Sequence, residues 1–352
     1  MICHLIDELY RQADAAGQEV RIAQKCDKDL DLRDERTACC DTNEKLATAL
    51  VSGEFQVFAG TTWLWARDEL QHSVDTLFVD EAGQLSLASV LAVTGAAANL
   101  VLLGDPQQLA QPSQAAHPPG ADVSALEHVL DGAATMPPDA GLLLDRTWRM
   151  HPTLCSFTSE TFYDGRLACI RGLENQSVLG DEQLGGSGLR VIPIPHQANA
   201  NSSPEEAAAI STMIGELLQL RWRDRDRNVR ALAQDDVLVV TPYNAQVRAI
   251  DAALAADGLR GIRVGTVDKF QGREAPVVVY SMASSSAADA PRGIPFLYDL
   301  HRLNVATSRA QALAILVASP ELIRVMCGTP RQMVLANALC EAWSAARSVQ
   351  PS

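Results

Sequence analysis

The stretch DTLFVDEAGQ at residues 75–84, followed by NLVLLGDPQQL at residues 99–109, decides the fold. Residues 77–79 and 101–103 are short, continuously apolar runs, which is typical of parallel strands covered on both faces. The segment between them, LSLASVLAVTGAAA, places leucines and alanines at helical spacing. A β-α-β unit of this kind requires a parallel sheet with a right-handed crossover. We therefore predict that both runs are buried strands of an α/β domain.

Acidic side chains follow both predicted strands at their carboxyl ends. Asp80 and Glu81 follow the first strand, and Asp105 follows the second. Ligands of open α/β sheets bind at this edge. Two carboxylates at the tip of a buried strand are typical of a divalent cation site beside a phosphate. Taken alone, the stretch is equally consistent with Asp80 capping the following helix.

The composition limits the classes of protein to which this chain can belong. The chain has 352 residues, of which 47% are hydrophobic, enough for two domains. It lacks an uninterrupted apolar run of membrane-spanning length and a signal-peptide pattern, so we expect a cytoplasmic protein without a membrane partner. Its eight cysteines show no CxxC spacing, and we expect free thiols. The net charge of −14 argues against a simple nucleic-acid coat protein but not against a local basic groove.

Strand patterns occur on both sides of a segment rich in proline and glycine. Before it, EVRIAQKC, FQVFAG and the two runs described above predict at least four strands of one sheet, whereas charged residues 27–44 predict an irregular or partly exposed helical segment. Proline and glycine accumulate at residues 112–120 and 137–141. Beyond them, DVLVVTP, IRVGTV, APVVVYSM and ALAILVAS predict a second parallel sheet. We predict a partial first domain at residues 1–135 and a second at 136–345.

Four further stretches carry side chains that a nucleotide site would need. They are Gln107 and Gln108 after Asp105, the pair Trp148-Arg149, the charged loop at residues 266–274, and Arg309 in ATSRAQ. Each also has an ordinary explanation: a polar turn, a core tryptophan beside a solvated arginine, a charged surface loop, or a helix cap. Their joint occurrence in one order is more specific than any of them alone.

In that order, these stretches resemble the motifs of superfamily 1 helicases, in the branch of the nonsense-mediated-decay RNA helicase and the Okazaki-fragment nuclease-helicase. The matching stretches are VDEA (79–82), GDPQQL (104–109), WRMHP (148–152), TPYN (241–244), VDKFQGRE (267–274) and LNVATSRA (303–310). The resemblance implies an α/β fold of two RecA-like parallel-sheet domains, the first truncated at its N-terminus. It also implies an ATP- and Mg²⁺-dependent motor that translocates on single-stranded DNA or RNA, 5′ to 3′ by analogy, with DNA favoured.

The resemblance assigns roles to individual residues. Asp80 would hold Mg²⁺, and Glu81 would polarise the attacking water. Gln108 would sense the γ-phosphate, and Arg149 and Arg309 would act as arginine fingers. We expect the catalytic residues and Glu274 to converge on one cleft.

The resemblance also assigns binding roles. Trp148 would stack on adenine, Glu274 would contact the ribose, and Asp105 would belong to the same nucleotide site. The candidates for contacts with a single strand are Thr61, Thr62, Thr241, Tyr243, Asn244 and Thr266.

The sequence departs from the family pattern in one respect. The family has a phosphate loop ending in Gly-Lys-Ser or Gly-Lys-Thr, and no lysine of this chain is preceded by glycine. Our hypothesis is an N-terminally truncated or split helicase, with an upstream fragment or nuclease domain supplying the loop. The alternatives are a catalytically silent nucleic-acid-binding or assembly subunit, and a two-domain enzyme that uses Asp80 and Glu81 for metal-dependent phosphoester chemistry. Whether the chain is an enzyme is therefore left open by its sequence.

Overall fold

The computed structural model describes residues 2–26, 34–109, 123–180, 183–270 and 273–348. These residues form two compact units. Unit 1 comprises Met1–Asp105 and Ala110–Val129, and unit 2 comprises Pro106–Leu109 and Leu130–Ser352. The predicted boundary segment at residues 112–120 lies outside the described residues, as do Gln271 and Gly272 of the VDKFQGRE stretch. The domain limits at residue 135 stay a prediction.

Unit 1 contains two small parallel sheets. Its elements are α1 (Ile2–Ala15), β1 (Ile22–Lys25), β2 (Thr37–Cys40), α2 (Asn43–Ser52), β3 (Val57–Ala59), α3 (Thr62–Trp65), β4 (Val74–Val79), α4 (Leu87–Val93), β5 (Ala97–Leu102) and α5 (Ala125–Leu130), with short 3-10 helices at Asp68–Leu70 and Thr94–Ala96. One sheet has the strand order β2-β1-β3, and the other pairs β4 with β5. The prediction of four strands in one sheet is therefore wrong: in the described part of unit 1, five strands form two separate sheets.

Strand β2 lies inside the segment that we predicted to be irregular, so this prediction is wrong for Thr37–Cys40. The strand pairs in parallel with β1, with Ile22 opposite Thr37. The hydroxyl groups of Thr37 and Tyr10 share a hydrogen bond of 2.9 Å, which ties β2 to α1. Charged residues on both sides of Thr37–Cys40 gave no strand pattern, and this four-residue strand forms through its pairing with β1.

The same pairing corrects the prediction of eight free thiols. Cys26 and Cys39 form a disulfide with a Cα–Cα distance of 5.8 Å, and the other six cysteines are free. Parallel alignment of β1 and β2 brings the two residues together, although 13 positions separate them in sequence. Spacing rules based on CxxC do not detect a pair that is created by strand register.

Strands β4 and β5 are only partly buried, contrary to the prediction that both are covered on both faces. Leu77 and Val79 are buried, but Phe78 is 63% exposed and Leu103, just after β5, is 41% exposed. Successive side chains of a strand point to opposite faces. Along β4 one face is therefore packed and the other is open, whereas every residue of β5 is exposed or only partly buried.

Unit 2 is built on a six-stranded parallel sheet with the order β13-β12-β14-β15-β9-β16. Antiparallel strands β11-β10-β8 form a second sheet, and β6 pairs with β7. Its elements are β6 (Arg146–Thr147), α6 (Pro152–Phe162), β7 (Ala168–Cys169), β8 (Ser177–Leu179), β9 (Gly188–Pro193), α7 (Pro204–Leu217), β10 (Arg221–Arg223), β11 (Val229–Ala231), β12 (Val237–Thr241), α8 (Asn244–Ala256), β13 (Arg263–Thr266), β14 (Ala275–Ser281), α9 (Ile294–Leu297), α10 (Leu300–Ser308), β15 (Ala310–Ala318), α11 (Pro330–Ala345) and β16 (Arg347–Ser348), with 3-10 helices at Leu173–Asn175, Gln234–Asp236, Val267–Phe270 and Pro320–Arg324.

Both faces of the large sheet are covered by apolar side chains. Along β12, Val237 and Val239 belong to one buried cluster, and Leu238 and Val240 belong to another. Alternation of this kind explains why central strands of a parallel sheet read as continuous apolar runs. The predicted second parallel sheet and the α/β class are confirmed. In the described part of the chain, no helix has both the length and the apolar character needed to cross a membrane.

Candidate functional site

The acidic turn after β4 is the first part of the site, in unit 1. Asp80 is exposed, and its Oδ1 accepts a hydrogen bond of 2.9 Å from the backbone N–H of Glu81. Glu81 has a left-handed φ of 54°, and its Oε2 accepts a hydrogen bond from the Gln84 amide at 2.8 Å. The following helix α4 is capped by Ser86. The alternative that Asp80 caps this helix is therefore wrong, and the strained conformation at Glu81 is of the kind found at functional sites.

The backbone after β5 packs closely on this acidic turn. Leu103 accepts a hydrogen bond of 2.7 Å from the N–H of Ala82 and donates one of 2.8 Å to the carbonyl of Val79. A Cβ on Gly104 would lie 2.8 Å from Ala82 N and 2.9 Å from Gly83 N. Only glycine permits this approach, which places Asp105 on the same edge of unit 1 as Asp80.

The donor set at this edge consists of carboxylate oxygens, which Mg²⁺ prefers. No group of three or more His, Cys, Asp or Glu side chains is arranged to hold a metal within the ranges described above. A magnesium ion bound with a nucleotide does not need such a group, because it takes one or two protein carboxylates and completes its shell with phosphate and water. Asp80 fits that requirement.

A cluster of charged side chains forms the second part of the site, in unit 2. Arg149 Nε donates to Glu274 Oε2 at 2.5 Å, and Arg149 Nη1 donates to the carbonyl of Ser308 at 3.2 Å. The Gln311 amide donates to Glu274 Oε1 at 2.8 Å. Burial raises the pKa of the Glu274 carboxyl, but the hydrogen bond and the charge of Arg149 outweigh it, and the net pKa is lowered. Glu274 therefore stays ionised and holds Arg149 in place.

Arg309 lies beside this cluster at the end of α10. Its side chain is buried, and Nη2 donates to Gln108 Oε1 at 3.3 Å. Arg149 donates to the carbonyl of Ser308, which is the residue just before Arg309. The two predicted arginine fingers therefore lie close to each other. Gln108, Arg149, Glu274 and Arg309 thus lie together in unit 2, whereas Asp80 and Glu81 belong to unit 1. The predicted convergence of all six on one cleft stays a prediction.

One contact residue had no role assigned from sequence. Asn304 on α10 is fully buried, and its amide donates to the carbonyl of Gln107 at 2.9 Å and to the Tyr163 hydroxyl at 3.0 Å. It therefore positions the backbone beside Gln108. The signal available in the stretch LNVATSRA was a polar residue between the apolar Leu303 and Val305.

Trp148 is 68% exposed. The alternative of a core tryptophan is therefore wrong. An exposed indole beside the fixed guanidinium of Arg149 offers a flat apolar surface on which an aromatic ring can stack.

The predicted strand-contact residues divide between the two units. In unit 2, Thr241 and Thr266 are register partners at the carboxyl ends of β12 and β13. Tyr243 and Asn244 follow at the start of α8, whose N-terminus has no side-chain cap. Thr241 and Tyr243 are buried, whereas Asn244 is exposed. In unit 1, Thr61 and Thr62 lie together at the start of α3.

Comparison with known proteins identifies the family. The AAA_12 family, described as an AAA domain, matches residues 121–321, more than half of the chain, and the chain belongs to it. Its curated relatives include proteins named as helicases, and the resemblance to superfamily 1 helicases inferred from the six stretches is confirmed.

Three relatives illustrate the match. RNA helicase Mov10l1 of Mus musculus is 31% identical over 71% of this chain and 23% of its own length. DNA polymerase alpha-associated DNA helicase A of Schizosaccharomyces pombe is 26% identical over 75% of this chain and 40% of its own. Helicase sen1 of the same yeast is 26% identical over 91% of this chain and 18% of its own.

A solved complex of Arterivirus nonstructural protein 10 (helicase) with DNA aligns with 91% of this chain and 52% of that chain, at 15% identity and a TM-score of 0.45. The chain spans between 9% and 40% of the length of the curated relatives that it matches.

Proposed function

We propose that this chain is the motor core of an ATP-dependent helicase, which hydrolyses ATP with Mg²⁺ to translocate along single-stranded nucleic acid. Family membership supports a nucleic-acid helicase motor. The observation that carries the proposal is that two hydrogen-bonded pairs, Arg149 with Glu274 and Arg309 with Gln108, lie in unit 2. Buried and half-buried guanidinium groups held at fixed positions are the donors that phosphoryl transfer needs.

In this proposal, unit 1 supplies the acidic groups. Asp80 would hold Mg²⁺, and the bound ion would neutralise negative charge on the phosphates. Glu81, whose Oε2 is held by Gln84, would accept the proton of the attacking water. Asp105, on the neighbouring strand end, would contribute to the same nucleotide site.

Unit 2 would supply the cations and the base contact. Arg149 is held by Glu274 and Ser308, so its guanidinium needs little reorganisation as charge develops on the phosphate. Arg309 would act as the second finger, with Gln108 beside it as the γ-phosphate sensor. Trp148 would stack on adenine, because its ring is exposed, and Glu274 would contact the ribose.

The single strand would follow the residues at the carboxyl edge of the large sheet, Thr241, Tyr243, Asn244 and Thr266, together with Thr61 and Thr62. Relatives are named as DNA helicases and as RNA helicases. We therefore propose single-stranded DNA or RNA as the partner, and both belong in the test.

ATP hydrolysis by the 352-residue chain, with and without single-stranded DNA or RNA, tests the proposal. Glu81→Gln removes the proposed base, and Glu54→Gln makes the same chemical change at an exposed position of unit 1. We expect strand-stimulated turnover that falls by about 10²–10⁴-fold in Glu81→Gln and is unchanged in Glu54→Gln. Salt-sensitive strand binding without turnover would favour a fragment or a catalytically silent subunit whose phosphate loop must be sought upstream or in a partner, and equal turnover in both variants would remove Glu81 from the mechanism.

A further inference from the structure

Two arginines lie against one aromatic ring near the carboxyl edge of the large sheet. The Cζ atom of Arg292 is 3.8 Å from the ring centroid of Phe296, and that of Arg302 is 4.3 Å from it. Phe296 lies on the short helix α9, Arg292 immediately precedes that helix, and Arg302 lies on α10. Neither arginine has a role in the nucleotide site described above.

The two positive charges are close together and only partly neutralised. Both guanidinium groups contact the same ring, so their Cζ atoms are separated by at most about 8 Å, which is no more than a Debye length at physiological salt. Arg302 has a side chain that is 15% exposed, and its Nη1 lies 3.4 Å from Asp268 Oδ2. Arg292 is exposed and makes no ion pair or hydrogen bond with any residue that the structure describes. The pair therefore keeps a net positive charge that an anion would complement.

The arginine pair adjoins the residues predicted to contact a strand. The rings of Phe296 and Tyr243 have centroids 5.5 Å apart. Burial raises the pKa of the Tyr243 hydroxyl, and the Ser284 side chain and the positive charges of Arg292 and Arg302 partly oppose this rise. Tyr243 leads directly into α8, where Asn244 is exposed at a helix N-terminus without a side-chain cap.

We propose that Arg292 and Arg302, held against Phe296, bind a backbone phosphate of a single-stranded nucleic acid. The proposal rests on the strand-binding part of the proposed function. Two guanidinium groups occupy the space over the ring, so a nucleobase cannot stack there without displacing one of them. A guanidinium group instead matches the geometry of a phosphate. The contact is therefore independent of base sequence.

The test measures binding of fluorescein-labelled (dT)20 and (dA)20 to the full chain by anisotropy at several salt concentrations. Arg292→Ala removes the exposed guanidinium, and Arg292→Lys keeps its charge. The matched control is Arg221→Ala, which removes an equally exposed arginine from β10, on the antiparallel sheet. Thermal midpoints establish that each variant is folded, and the KM for ATP is measured on the same preparations.

We expect Arg292→Ala to weaken binding of both oligonucleotides by about fivefold and to reduce the slope of log affinity against log salt by about 0.7–1. Arg292→Lys should recover most of the affinity, and Arg221→Ala should match the wild type. Equal binding by Arg292→Ala and Arg221→Ala would overturn the inference, as would a loss for one base only. A raised KM for ATP with unchanged strand affinity would assign the pair to nucleotide phosphate instead. If the wild-type chain bound neither oligonucleotide, the proposed strand binding itself would fail.

Discussion

Substitution of Gly104 by alanine tests how the two acidic strand ends of unit 1 are held together. The added Cβ would lie 2.8 Å from Ala82 N and 2.9 Å from Gly83 N, so the two segments must separate by roughly 0.5 Å or more to reach ordinary contact distances. Both atoms are backbone, and no side-chain rotation can relieve the clash. Separation would also lengthen the hydrogen bond of 2.7 Å from Ala82 N to the Leu103 carbonyl.

The expected cost combines two effects. Overpacking of this kind destabilises by about 1–3 kcal/mol, and weakening the hydrogen bond adds about 1 kcal/mol. For a unit of this size, the combined loss of about 2–4 kcal/mol lowers the midpoint of thermal unfolding by about 6–13 °C. Calorimetry of the full chain measures that shift, and hydrogen exchange with mass spectrometry follows the amides of Ala82 and Leu103.

The matched control is Gly215→Ala within α7. A Cβ there meets nothing within 4 Å, and alanine is favoured over glycine in a helix by about 0.5–1 kcal/mol. We expect this variant to be slightly more stable than the wild type. If both variants melted alike and the amide of Ala82 stayed protected in Gly104→Ala, the close approach of the two segments would not exist in solution.

Two further predictions concern unit 2. Asn304→Ala removes the amide that donates to the carbonyl of Gln107 and to the hydroxyl of Tyr163, and we expect a loss of about 1–3 kcal/mol in the free energy of unfolding, measured by urea denaturation; an unchanged midpoint would contradict it. Burial raises the pKa of the Cys155 thiol to about 11 from an ordinary 9.0, so its neutral form stabilises the fold fully below about pH 9, and this contribution is lost as the pH rises towards 11. Wild type should therefore lose about 2 kcal/mol relative to Cys155→Ala over this interval, and parallel stability curves for the two proteins would exclude the effect.

The success of sequence reasoning differed between the two units for a physical reason. In unit 2, the run VLVVT became β12 with every residue buried, because helices cover both faces of the sheet. In unit 1, the run at residues 77–79 was read in the same way, yet Phe78 is 63% exposed. An apolar run records a preference for burial, but not whether a second layer is present. Local sequence also could not reveal β2, because its pairing depends on β1 and on the contact of Thr37 with Tyr10.

The candidate site shows a similar division. Motif order predicted roles for individual residues, including a ribose contact for Glu274, but not the hydrogen bonds between their side chains. The carboxylate of Glu274 lies 125 positions from Arg149 and holds its guanidinium group, which no local pattern indicates. Asn304 and the pair of arginines at Phe296 were missed for the same reason, since their importance comes from contacts between separate elements.

The boundary between the two units falls within the stretch GDPQQL, between Asp105 and Pro106. Gly104 and Leu103 are fixed by the acidic turn of unit 1. After Asp105 the chain passes into unit 2, where Asn304 binds the carbonyl of Gln107 and Arg309 binds the amide of Gln108. A substitution at either end therefore disturbs a segment whose other end is anchored elsewhere. The residues of this short stretch are therefore constrained by contacts in both units. This is why it was the most informative part of the sequence.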